Sequence, residues 1–181
     1  ADGFINVEKL TDIVTEYTDR VALISILLVN NEIGTIQDFD IIVPIIRSHC
    51  SNAVIHSDVA QGIYYLTKLK NYPDVVTMSM YKIAGVHAGV LLHNDFVTLS
   101  ENYTGTPDVP MIVATTEALN LYITNVSTNI KRCTQLSDII REKLCMLFAD
   151  LNIVVTDLSN VNTAPYIQSY LFPEGYQGSV L

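Results

Sequence analysis

The chain has 181 residues, of which 49% are hydrophobic and 16% charged, and its formal net charge at pH 7 is −9. That length and apolar content exclude a disordered chain and predict one fair-sized domain, or one domain and part of a second. The acidic balance argues against nucleic acid as a partner, because proteins that bind the phosphate backbone concentrate Lys and Arg on one face. The chain contains no run of roughly 18 apolar residues, so we expect neither a membrane-spanning helix nor a membrane partner.

The first 110 residues alternate between helical and strand-like patterns. Residues 6–17 have the apolar spacing of a helix, and residues 21–29 form a continuous apolar run that is typical of a strand covered on both faces. Residues 38–49 indicate a second helix, provided that Pro44 lies in its first turns. Three further apolar segments, of which the first two are interpreted as strands, lie at 54–57, 75–80 and 89–93. The alternation predicts an α/β domain with a mostly parallel sheet and helices on both faces.

The pattern changes after Pro110. Residues 111–126 and 130–151 read as two long helices, and residues 153–155 as a strand. We therefore predict a large domain over residues 1–110, followed over residues 111–181 by a connecting helix and part of a small α+β subdomain.

The three cysteines, Cys50, Cys133 and Cys145, are odd in number and lack CxxC spacing. This pattern favours neither a disulfide framework nor a metal site, and it indicates a reducing compartment, hence the cytoplasm. The simplest interpretation of each cysteine is a small buried hydrophobic residue.

Polar residues follow three of the predicted strands. The three clusters are Asn30-Asn31-Glu32-Ile33-Gly34, His56-Ser57-Asp58-Val59-Ala60-Gln61 and Ser79-Met80-Tyr81-Lys82. Ligands of parallel sheets gather at the carboxyl ends of the strands, so these side chains could surround one small molecule. Each also has a structural alternative: Asp58 as a helix N-cap, Asn30 and Asn31 as turn residues, and Lys82 as a lysine that extends to solvent.

Pyridoxal phosphate is the cofactor whose chemistry needs all of these groups. Its pyridine nitrogen needs a carboxylate partner, and its aldehyde needs a lysine amine for a Schiff base. Its ring oxygen and phosphate need neutral donors, which Asn, Gln, Ser and Tyr supply.

Three segments resemble the motifs of one family. Residues 29–37, Val-Asn-Asn-Glu-Ile-Gly-Thr-Ile-Gln, resemble the V-N-N-E-I-G-x-x-Q segment of cysteine desulfurases of the NifS/IscS type, which are class V aminotransferases of fold type I. Residues 56–61 are similar to the H-x-D-A-x-Q segment of that family, and residues 79–85 to its S-G-H-K-I-Y-G segment. The order of the motifs is kept.

The resemblance implies a role for each matching residue. Lys82 would form the internal aldimine with pyridoxal phosphate, Asp58 would pair with the pyridine nitrogen, and Gln61 with the ring hydroxyl. Asn31 would lie near the same oxygen and the substrate carboxylate, and Ser79 would bind the phosphate. The resemblance further implies a homodimer, in which Thr106 would reach the phosphate of the partner subunit.

The chain departs from the family at three points. Tyr81 stands where the family has a histidine before the lysine, so a phenol would make that phosphate contact or the contact would be lost. The R-S-G-T segment appears as Tyr103-Thr104-Gly105-Thr106, without its arginine, and the glycine-rich loop before it is absent or shortened.

The resemblance also predicts that the chain is the middle of a longer, divergent homologue, which could be viral and then present in a virion. It contains no counterpart of the family's cofactor-stacking histidine, sulfur-accepting cysteine or carboxylate-binding arginine, and none of the three cysteines matches that cysteine.

We therefore expect a pyridoxal-phosphate enzyme of the cysteine desulfurase type, with an amino acid such as cysteine as its substrate. Two alternatives stay open. One is a non-catalytic relative that serves as a scaffold or dimerisation module, and the other is a class V selenocysteine lyase or aminotransferase.

Overall fold

The computed structural model describes residues 3–18, 20–100, 105–159 and 162–175. Tyr103, Thr104 and the last residues of the chain, which enter the expectations above, lie outside the described residues. The elements are, in chain order, α1 (Val7–Glu16), β1 (Leu23–Leu27), α2 (Phe39–His49), β2 (Val54–Asp58), α3 (Ile63–Leu66), β3 (Val75–Ser79), a 3-10 helix (Met80–Ile83), β4 (Gly89–His93), α4 (Val109–Asp150), β5 (Thr156–Asp157) and β6 (Tyr170–Leu171).

The first two helices begin where the sequence supplies a cap. The side chain of Asn6 accepts a hydrogen bond from the main-chain N–H of Lys9, and Asp38 caps α2 in the same way. Such caps satisfy donors that the first helical turn leaves unpaired. The expectation that Pro44 lies in the first turns of α2 is only roughly met, because it is the sixth helical residue. There it removes the hydrogen bond that an N–H would donate to the carbonyl of Asp40.

The main sheet has the order β1-β2-β3-β4. The first three strands are parallel and β4 is antiparallel to β3. Asp58 is the register partner of both Leu27 and Thr77, and Ser79 pairs with Gly89. The carboxyl ends of β1, β2 and β3 therefore meet at one edge of the sheet. The prediction of a mostly parallel α/β sheet, with residues 21–29 and 75–80 in the same sheet, is confirmed.

The core lies on one face of this sheet. Ile55 and Met78 on that face are at most 5% exposed and form one cluster with residues of α1, α2 and α3. On the other face, Leu23 is 60% and Leu91 is 47% exposed. Within the described residues, the expectation that β1 is covered on both faces is thus wrong, because alternate side chains of β1 are exposed.

The helices predicted over residues 111–126 and 130–151 are one helix, α4, of 42 residues. Asp108 caps its start by accepting from the N–H of Met111 at 3.0 Å. The predicted break falls on Ser127-Thr128-Asn129, which contains neither proline nor glycine, and polar residues alone do not end a helix.

The strand predicted at 153–155 is also displaced. The two-residue strand β5 begins at Thr156 and pairs with β6, while residues 153–155 are irregular. β-Branched residues favour strands only where a neighbouring strand supplies hydrogen bonds, and the partner strand here lies opposite Thr156 and Asp157. The division of the chain near residue 110 stays a prediction.

Asp74 connects several of these elements. Its carboxylate accepts hydrogen bonds from the N–H of Ile55 at 2.7 Å and from Asn94 at 2.9 Å, and it forms an ion pair with Arg47 of α2. Burial tends to raise the pKa of Asp74, but these hydrogen bonds and the Arg47 charge outweigh that effect and lower it below its usual 3.8.

We expect Asp74→Asn to reduce the free energy of unfolding by about 2–3 kcal/mol at neutral pH, because it leaves Arg47 without its charge partner. The lowered pKa means that this stabilisation is present above the unfolded value of 3.8 and is lost as the pH falls below it. Urea unfolding of the wild type should therefore weaken more steeply below about pH 4 than that of the variant. The exposed Asp95→Asn is the matched control, and equal pH profiles for wild type and Asp74→Asn would contradict the prediction.

Candidate active site

The carboxyl end of β2 presents Asp58. This half-buried residue is the last of the strand, and its Oδ1 accepts a hydrogen bond from the N–H of Ala60 at 2.8 Å. The turn then packs closely, since a Cβ on Gly62 would lie 2.9 Å from Cγ2 of Val29. The helix N-cap alternative for Asp58 is wrong, because α3 begins at Ile63 and its N-cap residue is Gly62.

The carboxyl end of β3 leads into the 3-10 helix that carries Lys82. Met80 is fully buried and anchors this helix, while Lys82 is exposed. Ala84 adopts a left-handed φ of 61°, and the next residue must be glycine, since a Cβ on Gly85 would lie 2.7 Å from the carbonyl oxygen of Met80. The segment Lys-Ile-Ala-Gly therefore turns the chain tightly beside the lysine.

The Lys82 ammonium makes neither a hydrogen bond nor an ion pair with any described residue. Its one polar contact is with the ring of Tyr81, whose centroid lies 5.8 Å from Nζ. This is a weak cation–π contact at an exposed position, so the amine stays available to a ligand.

Lys82 lines a half-open cavity of about 240 Å³. Gln61 lines the same cavity from the turn after β2, and the hydroxyl of Tyr166 donates a hydrogen bond to the main-chain oxygen of Gln61. The remaining wall comes from Ala60, Ile63, Ile83 and the α4 residues Tyr122, Val126, Asn129, Ile130 and Cys133.

Tyrosines near this cavity remain protonated. Burial raises the pKa of Tyr166 far above its ordinary value and also raises the pKa of Tyr122. Burial likewise raises the pKa of Tyr65 to about 12. Tyr65 also contributes electrostatically to the raised pKa of Tyr166. These phenols can therefore donate hydrogen bonds near neutral pH but cannot act as bases.

Asp58 and Ser79 line a second cavity of about 320 Å³, together with Thr77 and Gly89. The four residues expected around one ligand are thus divided into two pairs, Asp58 with Ser79 and Gln61 with Lys82. All four lie at the carboxyl ends of β2 and β3, the adjacent parallel strands of the sheet.

The other three candidates are exposed. Asn31 lies in the turn after β1, where Oδ1 of its neighbour Asn30 accepts from the N–H groups of Glu32 and Ile33. The turn-residue alternative is therefore right for Asn30. Tyr81 is 51% exposed and stacks on His87, and Thr106 lies shortly before α4.

The three cysteines lie in different environments. Cys50 is buried as expected. The same expectation is wrong for Cys133, which is half-buried, and for Cys145, which is exposed, because both lie on α4, a helix whose buried residues are Val126 and Ser137. The described residues contain no group of three or more His, Cys, Asp or Glu side chains that could hold a metal ion. Among the same residues, no helix is both long and apolar enough to cross a membrane.

The sequence alone did not predict that residues of α4 and Tyr166 line the cavity of Lys82. Tyr122, Val126, Asn129 and Cys133 recur at helical spacing, so their common face could have been found once 111–151 was taken as one helix. No local signal marks Tyr166, which reaches Gln61 across 105 residues of sequence.

Parts of the chain are similar in sequence to known proteins. The sequence profile of the family described as Aminotransferase class-V matches residues 1–90. The cysteine desulfurase IscS of Rickettsia prowazekii is 37% identical over 87 residues, which are 47% of this chain and 20% of that protein. The cysteine desulfurase IscS of Histophilus somni is 28% identical over 156 residues, which are 76% of this chain and 37% of that protein.

Solved structures show the same similarity over the whole chain. A NIFS-like protein has a TM-score of 0.81 at 25% identity, and the match covers 99% of this chain and 50% of that one. A NifS-like protein from Rickettsia africae has a TM-score of 0.75 at 23% identity, covering 96% and 50%. An alanine–glyoxylate aminotransferase from a Nostoc species shares the fold at 14% identity, with a TM-score of 0.70, 99% of this chain and 53% of that one. These neighbours confirm the fold type I expectation.

The chain spans about half the length of these solved structures and a smaller part of the curated relatives that it matches. The similarity therefore establishes the fold, whereas the activity, substrate and partners of the whole protein are matters for proposal.

Proposed function

We propose that the chain is a member of the class V aminotransferase family, whose model matches residues 1–90, and that the protein is a pyridoxal-phosphate enzyme of the cysteine desulfurase type that acts on cysteine. The observation that carries the proposal is the lysine: the Lys82 ammonium, at a strand end beside a cavity, has no hydrogen-bonding or ionic partner among the described residues. A neighbouring strand end supplies Asp58 and Gln61.

The side chains present fit this cofactor chemically. One carboxylate oxygen of Asp58 accepts a hydrogen bond from the N–H of Ala60, and the other oxygen can contact a protonated ring nitrogen. Ser79 offers a hydroxyl to the phosphate, and there is room beside it, because no atom lies within 4 Å of where a Cβ on Gly89 would be. Gln61 supplies a neutral amide to the ring hydroxyl, and Lys82 supplies the amine. We assign a further ring-oxygen contact to Asn31.

Each residue then has a definite task. Bound pyridoxal phosphate supplies the electron sink that cysteine activation needs. The Asp58 carboxylate would hold a proton on the ring nitrogen, and the Lys82 amine would bind the aldehyde carbon and, when released, hold a proton on Nζ. Tyr166 fixes the Gln61 main chain through its hydroxyl and so orients the turn after β2.

Spectroscopy and product analysis test this function in the protein expressed with its natural termini. Pyridoxal phosphate bound covalently to a lysine absorbs visible light, so addition of the cofactor should produce a visible band. Addition of cysteine should then give alanine and sulfur at the zero oxidation level, which a thiol reductant such as dithiothreitol, included in the assay, reduces by two electrons to sulfide. Selenide from selenocysteine alone, or a keto acid without sulfide, would show that the substrate assignment is wrong and that the enzyme is another member of the class.

The non-catalytic alternative is supported by the exposed Tyr81, which stands where the similar family has a histidine. A scaffold or dimerisation module would give no visible band with the cofactor. Its absence from a folded protein would therefore favour this alternative over the enzyme.

We also propose that the protein is a homodimer. The support is Thr106, an exposed residue near the start of α4 that retains the position of the threonine reaching the partner's phosphate in the similar family. Sedimentation at micromolar concentration should give twice the protomer mass. A monomer at that concentration would contradict the proposal and leave Thr106 without this role.

A further inference from the structure

The rings of Tyr81 and His87 lie stacked beside the proposed cofactor lysine. Their centroids are 5.6 Å apart and their planes differ by 11°. The Lys82 ammonium lies 5.8 Å from the same tyrosine ring. A phenol, an imidazole and an amine are therefore held together at the exit of β3.

The loop that carries His87 is held by the backbone. The N–H of Met80 donates to the carbonyl of Ala88 at 3.0 Å, and the N–H of Gly85 donates to the carbonyl of Met80 at 3.0 Å. Met80 itself is fully buried. Since both ends of the loop are tied to a buried residue adjacent to Tyr81, the stack is formed before any ligand binds.

The segment that carries the stack has basic residues but no acidic residue of its own, although Asp58 of the neighbouring strand lines the cavity of Ser79. Residues 75–94 contain Lys82, His87 and His93 but neither Asp nor Glu, although the whole chain has 19 acidic residues against 10 Lys and Arg. Among the described residues, His87 has no hydrogen-bond or ion-pair partner, and its ring packs on the ring of Tyr81. Its ring nitrogens are thus free to bind a ligand.

We propose that His87 binds the phosphate group of the cofactor at this site, a step that rests on the function proposed above. A phenol at position 81 donates one neutral hydrogen bond, so it does not replace the positive charge that a histidine can provide there. An imidazolium donates charge-assisted hydrogen bonds to phosphate, which are about twice as strong as neutral ones. The stack with Tyr81 fixes the plane of that imidazole beside the residue that precedes Lys82.

The test compares two ligands that differ only in the phosphate, pyridoxal phosphate and pyridoxal. Equilibrium dialysis measures the affinity of the wild type and of His87→Phe, which keeps an aromatic ring on Tyr81 but removes the two ring nitrogens. We expect His87→Phe to bind pyridoxal phosphate roughly ten- to a hundredfold more weakly and pyridoxal with unchanged affinity. His87→Arg, whose guanidinium can both stack and bind phosphate, should restore most of the loss.

Matched controls separate charge from structure. His93→Phe changes an exposed histidine of β4 and should leave both affinities unchanged. Equal weakening of both ligands in His87→Phe, or unchanged affinity for pyridoxal phosphate, overturns the inference. If the wild type binds neither ligand, the proposed function falls and the inference with it. If Lys82 is labelled by the cofactor but the affinity ratio does not change, only the inference falls.

Discussion

Borohydride reduction of the protein loaded with pyridoxal phosphate is expected to attach the cofactor to Lys82 and to no other lysine. The chain has six lysines, at positions 9, 68, 70, 82, 131 and 143. Among those at strand ends or turns, the amine of Lys68 lies over the ring of Tyr64 at 5.2 Å, whereas that of Lys82 lines the cavity shared with Gln61. Asp58 and Ser79 would hold the cofactor at the strand ends next to the 3-10 helix that carries Lys82, so we expect the Lys82 amine to react first through proximity.

Lys82→Ala should abolish the covalent attachment while it leaves the fold intact. The side chain is exposed and makes no hydrogen bond or ion pair with the described residues, so the free energy of unfolding should change by less than about 0.5 kcal/mol. Peptide mapping of the reduced protein locates the label, and thermal unfolding checks the fold. Lys68→Ala, which removes an exposed lysine elsewhere, is the matched control and should keep full labelling.

A label on Lys68 or Lys70 would contradict the assignment of residues 79–85 as the lysine motif. The roles of Asp58 and Gln61 would then fail as well, since all were assigned through the order of the same three motifs.

The strands that carry the site could be predicted from the sequence because their signals are local. The apolar runs that became β2 and β3 end in polar residues, and parallel pairing brings those ends to one edge whatever lies elsewhere in the chain. The resemblance of residues 29–37, 56–61 and 79–85 then supplied a role for each polar residue.

What the sequence could not show depends on contacts between distant segments. Asp58 and Gln61 are three positions apart in the sequence, yet they line different cavities. The turn that follows β2 packs closely against the segment after β1, since Gly62 lies against the side chain of Val29. Gln37, the last residue of the most specific motif, shows the same limit. It is 8% exposed and its side chain binds the backbone of Gly3 and Ile5, so its observed role is structural.

The last prediction ranks the two polar residues that follow β2. Asp58→Ala should weaken cofactor binding by roughly ten- to a thousandfold, because a close ion pair in a partly desolvated site is typically worth a few kcal/mol. Gln61→Ala should cost about 1–2 kcal/mol, the value of one neutral hydrogen bond, or roughly tenfold in affinity. Titration of each variant with pyridoxal phosphate, followed by the visible band, measures both effects.

Asp58→Asn is the control that separates charge from turn formation. Its side-chain oxygen can still accept the hydrogen bond that Ala60 donates, so the turn should keep its shape while the negative charge is lost. We expect Asp58→Asn to bind the cofactor nearly as weakly as Asp58→Ala, since the charge on the carboxylate is what keeps a ring nitrogen protonated. Wild-type affinity in Asp58→Asn would show that Asp58 only closes the turn after β2. Equal losses in Asp58→Ala and Gln61→Ala would instead show that the two side chains act through one hydrogen-bond network, in which neither contributes alone.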